Sequence, residues 1–221
     1  GVYAYGSSST AIGSNSVIAN GITSTAIGHN GVSTASSAPS STAIGANTVG
    51  ANAAYSTAIG NSTVNANGYG STAIGYGTIS ANGSYSTAIG NSTVNASGLY
   101  STAIGEGGIT ASGNNSTAIG NSGVSASNSY ATALGSSGTS ASGYESTAVG
   151  YQVYASGSNS SAFGNYTTSA AAYQSTALGY NSHVDSSSNG SMAAGHSSNV
   201  SGSSGATAIG VRANVYSNGS T

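Results

Sequence analysis

Apolar residues return along this chain in strict register. A five-residue string, Ser-Thr-Ala-Ile-Gly or a near variant, ends at Gly13, Gly28, Gly45, Gly60, Gly75, Gly90, Gly105, Gly120, Gly135, Gly150, Gly164, Gly179, Gly195 and Gly210. The step is fifteen residues, apart from single steps of seventeen, fourteen and sixteen. Fixed self-similarity at so short a period is the signature of a solenoid. One repeat shows the pattern: Ser71-Thr72-Ala73-Ile74-Gly75, a connection Tyr76-Gly77-Thr78, then Ile79-Ser80-Ala81-Asn82-Gly83 and Ser84-Tyr85. The second segment puts Ile79, Ala81 and Gly83 on one face and Ser80 and Asn82 on the other. Val64, Ala66 and Gly68 repeat the alternation, as do Val94, Ala96 and Gly98. Period-two alternation bounded by Gly, Asn and Ser predicts short half-buried strands. The density of Gly and β-branched residues excludes helix. The predicted fold is all-β, a parallel β-solenoid (β-roll) of about fourteen coils, with about fifteen residues and two short strands per coil. At about 4.8 Å per coil, that stack would be a rod roughly 65–70 Å long.

The first segment carries a second message. In all fourteen copies its third residue is Ala and its fifth is Gly. The second and fourth positions, usually Thr and Ile, vary together: Ser161 comes with Phe163, and Met192 with Ala194. A small residue beside a large one is expected where both share one packed volume. The Thr/Ile face therefore reads as buried, and so does the invariant Ala face. The opposite strand of the same coil can cover only one of them. Another chain is the economical cover for the other, so the sequence predicts side-by-side association.

The repeats read as a single solenoid domain over residues 1–221, without recognisable caps, neck, stalk or membrane anchor. Departures at 35–40, around Pro39, and at 185–190 read as local loop insertions. Motifs run close to both ends, and exposed solenoid edges pair with other chains, so end-to-end joining into a fibre is a further expectation.

The stretch STAIGNSTVNANGYGSTAIG resembles the head repeats of trimeric autotransporter adhesins, the YadA-like family. The similar pattern is Ser-x-Ala-Ile/Val/Leu-Gly alternating with x-x-Ala-x-Gly, and it extends from about Ser9 to Gly210. The resemblance implies a left-handed β-roll, three chains associated side by side, and a role in attachment at a bacterial surface. This chain departs from the family in its low charge and in the missing neck, heptad stalk and anchor strands.

Composition narrows the chemistry. One basic and three acidic side chains make 2% charge, against about 25% in an ordinary soluble domain. Nucleic acid and anionic membrane surfaces need a basic footprint that is missing here. No apolar run reaches the roughly 20 residues of a membrane-spanning helix. Without Cys there is no disulfide, thiolate metal site or Cys nucleophile. Catalysis needs ionisable groups within reach of one another. Glu106 and Glu145 sit at different phases of distant coils. His183, Asp185 and His196 lie in neighbouring coils and are the one conceivable ligand set; solvated loop residues are the simpler reading. No Ser stands in a Gly-x-Ser-x-Gly elbow, and the recurrent glycines open no helix that could cradle phosphate. Calcium-binding solenoids repeat an Asp, and this chain has one. The sequence thus predicts no enzyme, no cofactor and no metal.

Two sets of surface residues stand out. Tyr55, Tyr85, Tyr100 and Tyr130 immediately precede the first segment, and Tyr69, Tyr144 and Tyr173 come one residue earlier. Stacked coils would align them along one edge, either as turn packing or as an amphipathic binding stripe for glycans or matrix. Asn-x-Ser/Thr sequons occur at Asn61, Asn91, Asn115 and Asn165, the candidate glycosylation sites, and at Asn82, Asn95, Asn114, Asn159, Asn189, Asn199 and Asn218.

The functional expectation is a non-enzymatic extracellular structural or adhesive protein at the cell surface. It would associate with itself, as a homotrimer or an end-to-end fibre, and present a repetitive face to extracellular matrix, glycan or another surface. The alternative is an ice-binding solenoid using the Thr row at Thr57, Thr72, Thr87, Thr102 and Thr117. The shared volume with Ile argues that this row faces inward. A carbohydrate-cleaving solenoid would need a paired-acid groove, which the sequence does not supply.

Overall fold

A computed structural model describes residues 1–217, and they contain β-strands and turns but no α-helix. The chain divides into two compact units, Gly1–Asn115 and Ser116–Thr221.

In the first unit, each coil pairs in parallel with the next at the repeat spacing. The strand Thr57–Asn61 pairs with Thr72–Ala81, aligning Thr57 with Thr72, Ala58 with Ala73, Ile59 with Ile74 and Gly60 with Gly75. Thr72–Ala81 pairs in turn with Thr87–Ala96, and that strand with Thr102–Glu106, so like residues form columns. The second segments form their own columns: Val64–Ala66 aligns with Ile79, Ser80 and Ala81. The seventeen-residue step does not break the register, because Thr25–His29 still aligns Thr25 with Thr42 and Gly28 with Gly45.

The second unit repeats the scheme with shorter second strands, such as Ser125–Ala126 and Ser140–Ala141. Its first-segment column runs Thr117, Thr132, Thr147, Ser161, Thr176, Met192, Thr207. The parallel β-solenoid with coils of about fifteen residues is therefore present in both units.

The second segments are shorter than the predicted five residues, two or three in most coils. The chain bends where the amides of Asn82 and Gly83 both donate to the Ala96 carbonyl, at 2.9 and 3.3 Å. Two consecutive amides on one acceptor end the extended ladder. In Thr72–Ala81 and Thr87–Ala96 the two segments instead merge into one ten-residue strand, because Gly77 and Thr78 stay paired with Ser92 and Thr93 through the corner.

The core is thin and made of small residues. Ala58, Val64 and Ala66 are fully buried, as are Ala73, Ile79 and Ala81, and Ala133 and Ala141 in the second unit. The Ser that opens the first segment lies inside too, with Ser56, Ser71, Ser101 and Ser146 all at 0% exposure. Its hydroxyl donates to the carbonyl three residues earlier in Ser56, Ser101 and Ser146. In Ser71, Ser86, Ser116 and Ser160 the buried hydroxyl has no partner, and the same holds for Ser182 beside a second segment.

The invariant fifth Gly has a steric cause. Gly75 has φ +147°, and a Cβ there would run into the backbone carbonyl oxygen of Gly90 in the next coil. The same collision repeats at Gly60 against Gly75 and at Gly135 against Gly150. Only a residue without Cβ lets successive coils approach to strand-pairing distance at this corner.

Candidate functional site

The invariant Ala faces the interior of its own coil. On the other side of the same strand, Thr72 and Ile74 are only half-buried, with Ala73 at 0% exposure between them. The pattern recurs at Thr57 and Ile59, Thr87 and Ile89, and Thr102 and Ile104. In the second unit Ile119, Phe163 and Leu178 are 37%, 38% and 47% exposed. Within one chain, then, the Thr/Ile face looks outward. The expectation that the Thr row faces inward is corrected: the opposite strand of the coil covers the Ala side alone. The regular apolar positions of the Thr/Ile side are set in a β-sheet face, two columns wide, that stays partly open to solvent among the described residues.

The second surface is an edge of turns. Gly83-Ser84-Tyr85-Ser86 closes with the Ser86 amide donating to the Gly83 carbonyl at 3.1 Å, and Gly98 to Ser101 does so at 3.2 Å. The third residue of each turn has positive φ: 59° at Tyr55, 56° at Tyr85, 56° at Tyr100 and 59° at Tyr130. Turns of this shape favour Gly or Asn there, as Gly70 and Asn115 illustrate. The cause is the bonding between coils. The Tyr85 amide donates to the Tyr69 carbonyl at 2.7 Å, and the Tyr100 amide to the Ser84 carbonyl at 3.0 Å. The middle peptide of each turn is thereby held along the stacking direction, which forces the next residue into the left-handed region.

The candidate stripe tyrosines meet on this edge. Tyr55–Tyr69 and Tyr69–Tyr85 are edge-to-face, with ring centroids 5.3 and 5.4 Å apart. Tyr85–Tyr100 is parallel at 5.1 Å. In the second unit Tyr130 and Tyr144 meet at 5.8 Å. Tyr173 is 50% exposed on its turn and, among the described residues, has no ring partner. The tyrosines of the ladder remain 42–57% exposed. Partial desolvation, then the neighbouring phenols of Tyr85 and Tyr55, raise the Tyr69 phenol above its ordinary pKa. A hydrogen bond with Glu145, then the charge of that carboxylate, raises Tyr144.

Asparagines run beside these rings. Asn52 donates to Asn67 and Asn67 to Asn82, each at 2.7 Å. At the corner after the first segment a second amide ladder joins Asn15, Asn30, Asn47 and Asn61. The sequons Asn61, Asn91, Asn115 and Asn165 are all exposed, as are Asn82, Asn114, Asn159 and Asn189. Asn95 and Asn199 are half-buried, and Asn218 lies outside the described residues.

Another aromatic stack escaped the sequence reading. Tyr166, Tyr180 and His196 lie parallel, with centroids 5.4 and 4.9 Å apart. Tyr180 and His196 each follow the invariant Gly directly, which is the signal that would have found them.

The one buried-leaning charge is Asp185. Its Oδ1 accepts from the Ser187 amide and from the hydroxyls of Ser187 and Ser188; its Oδ2 accepts from the Ser201 hydroxyl and the Gly202 amide. Burial works against the carboxylate, but the bonds from Ser188, Ser201, Ser187 and Gly202 outweigh it and hold the carboxyl well below the usual range. Oδ1 thus holds the inserted corner to its own shape, and Oδ2 fastens it to the next coil. Among the described residues, no three His, Asp or Glu side chains gather in a metal-holding group.

Residues 3–17, 66–93, 110–122, 141–167 and 155–182 match the YadA head domain repeat. No curated protein matches the chain. Among solved structures, the collagen-binding domain of the Yersinia adhesin YadA is 24% identical; the match covers 67% of this chain and 70% of that one, with a TM-score of 0.44. The matched coils are similar in sequence pattern to YadA head domain repeats.

Proposed function

We propose that this chain is a non-enzymatic, extracellular adhesive protein of the cell surface, one repeat domain whose coils associate side by side with other copies of themselves. The observation that carries the reading is the half-exposed Thr/Ile face on coil after coil, backed by fully buried Ala. Apolar columns this regular are costly to leave in water and are suited to a flat partner surface. The paired changes Ser161 with Phe163 and Met192 with Ala194 conserve volume on that face, as packing against a second copy requires. A homotrimer is the arrangement that the YadA head repeats support. The tyrosine edge would then lie free to contact matrix or glycan, and the exposed sequons Asn61, Asn91, Asn115 and Asn165 could carry sugar. Mass measurement in solution tests the association: three chains are expected, and Ile89→Asp with Ile104→Asp should yield single chains that keep the β-rich circular dichroism. A wild-type chain that stays monomeric at all concentrations overturns the reading.

A second reading has one observation in its favour. Thr57, Thr72, Thr87 and Thr102 stand in register on an outward face, as an ice-binding surface would need. Thermal hysteresis with shaped ice crystals would establish it in place of the first.

A further inference from the structure

Beyond the continuity of the backbone, the coils of this solenoid are held to one another without covalent cross-links. The chain has no Cys, and its single basic residue is Arg212, so neither disulfides nor lysine-derived bonds are open to it. It has fifteen tyrosines. On the turn edge, four of them in four successive coils stand with ring centroids 5.3, 5.4 and 5.1 Å apart. About half of each residue is open to solvent. Three of the four, Tyr55, Tyr85 and Tyr100, occupy left-handed positions that Gly70 fills without strain in the coil between. Strain kept where a relaxed residue is available points to a use for the side chain.

We propose that Tyr55, Tyr69, Tyr85 and Tyr100 form an oxidative cross-linking site, at which a peroxidase-type one-electron oxidant with hydrogen peroxide joins phenols of neighbouring coils. Each phenol gives up one electron and one proton and becomes a phenoxyl radical. Two radicals couple through ring carbons adjacent to the oxygen-bearing carbon, forming one carbon–carbon bond. The hydrogen on each coupled carbon then moves to its oxygen and restores the two phenols. The pair has lost two hydrogens in total, and these reduce one peroxide to two waters. Each ring already faces its partner on an exposed edge, so the approach to bonding distance needs side-chain rotation and no change of the backbone ladder. A radical formed on any member has a neighbour on which to couple, whereas Tyr76, at 62% exposure, has no ring partner among the described residues. The site stands apart from the proposed self-association, since it lies on turns and not on the Thr/Ile face; failure of one leaves the other intact.

The test is peroxidase with hydrogen peroxide on the folded chain, using an equal mixture of light and ¹⁵N-labelled protein, followed by digestion and mass spectrometry. Peptide pairs Tyr55–Tyr69, Tyr69–Tyr85 and Tyr85–Tyr100 are expected, lighter by two hydrogens and carrying unmixed labels. Tyr85→Phe, which keeps the ring, should remove the last two products and leave the first. Tyr76→Phe should leave the pattern unchanged. Coupling at Tyr76 as often as at the ladder, mixed labels throughout, or ring hydroxylation without coupled peptides would each overturn the proposal.

Discussion

Tyr85 and Tyr100 lie one coil apart with ring centroids 5.1 Å apart and planes 7° from parallel, and both carry a φ of 56°. Their contact offsets part of the backbone strain that each pays. In a double-mutant cycle with Tyr85→Ala and Tyr100→Ala, the strain cancels, because Ala is as ill-suited to the left-handed region as Tyr. The remaining coupling should favour the native pair by about 0.5–1.5 kcal/mol. Urea unfolding of the four proteins measures it, and a coupling near zero would show that the rings merely lie side by side.

Replacement of Gly75 by Ala should be among the most damaging single changes available. The new Cβ would meet the Gly90 carbonyl at φ +147°, and neither backbone can move without opening the ladder. A loss of about 3 kcal/mol or more is expected. Gly190 is the control, because at φ +64° a Cβ there would have nothing within 4 Å of it. Gly190→Asn should cost well under about 1 kcal/mol, since Asn enters the left-handed region readily. Equal thermal shifts for the two variants would refute the steric account.

The buried serine column separates into two classes that mutation can tell apart. Ser101 donates to the Gly98 carbonyl at 2.7 Å, so Ser101→Ala should destabilise by about 1 kcal/mol. Ser71 has a buried hydroxyl without a partner, so Ser71→Ala should be neutral or stabilising. Thermal melts of the two variants beside the native chain check the difference. Ala131, fully buried at the equivalent place, is nature's version of that substitution.

Asp185 sets the response of its corner to acid. Because its folded-state pKa is depressed, its contribution is fully present above the ordinary carboxylate pKa of about 4 and is lost as pH falls below that value towards the folded one. Asp185→Asn should lower the melting temperature at neutral pH and flatten its dependence on acid. An unchanged acid limb in the variant would mean that other groups govern it.

Much of this architecture could be read from residues alone. The fifteen-residue step implied strand pairing coil to coil, and the structure aligns Thr72 with Thr87 and Ile79 with Val94 as that step requires. The invariance of Ala in the first segment was legible as burial, whereas the collision that fixes the fifth residue as Gly became visible only between stacked coils. Which face looked inward was not, because the covariation of Ser161 with Phe163 reports a shared volume without saying whose chain completes it. The length of the second strand was also out of reach: the double acceptance at Ala96 depends on neighbouring coils, not on local sequence. The tyrosine edge was foreseen as an alignment, yet its rings meet across two different turn positions, Tyr69 in the second place and Tyr85 in the third. Side-chain reach, not residue spacing, makes them one ladder.

The seventeen-residue step between Gly28 and Gly45 has a wider consequence. Its two additional residues are taken up at a corner, while Thr25 still aligns with Thr42 and Val32 with Val49. Strand columns act as a fixed gauge and corners as slack. Lineages of such a protein can therefore lengthen by duplicating whole coils and diversify by editing corners, without renegotiating the core each time. Variation in length and variation in surface chemistry become separately heritable, with the gauge between them left untouched.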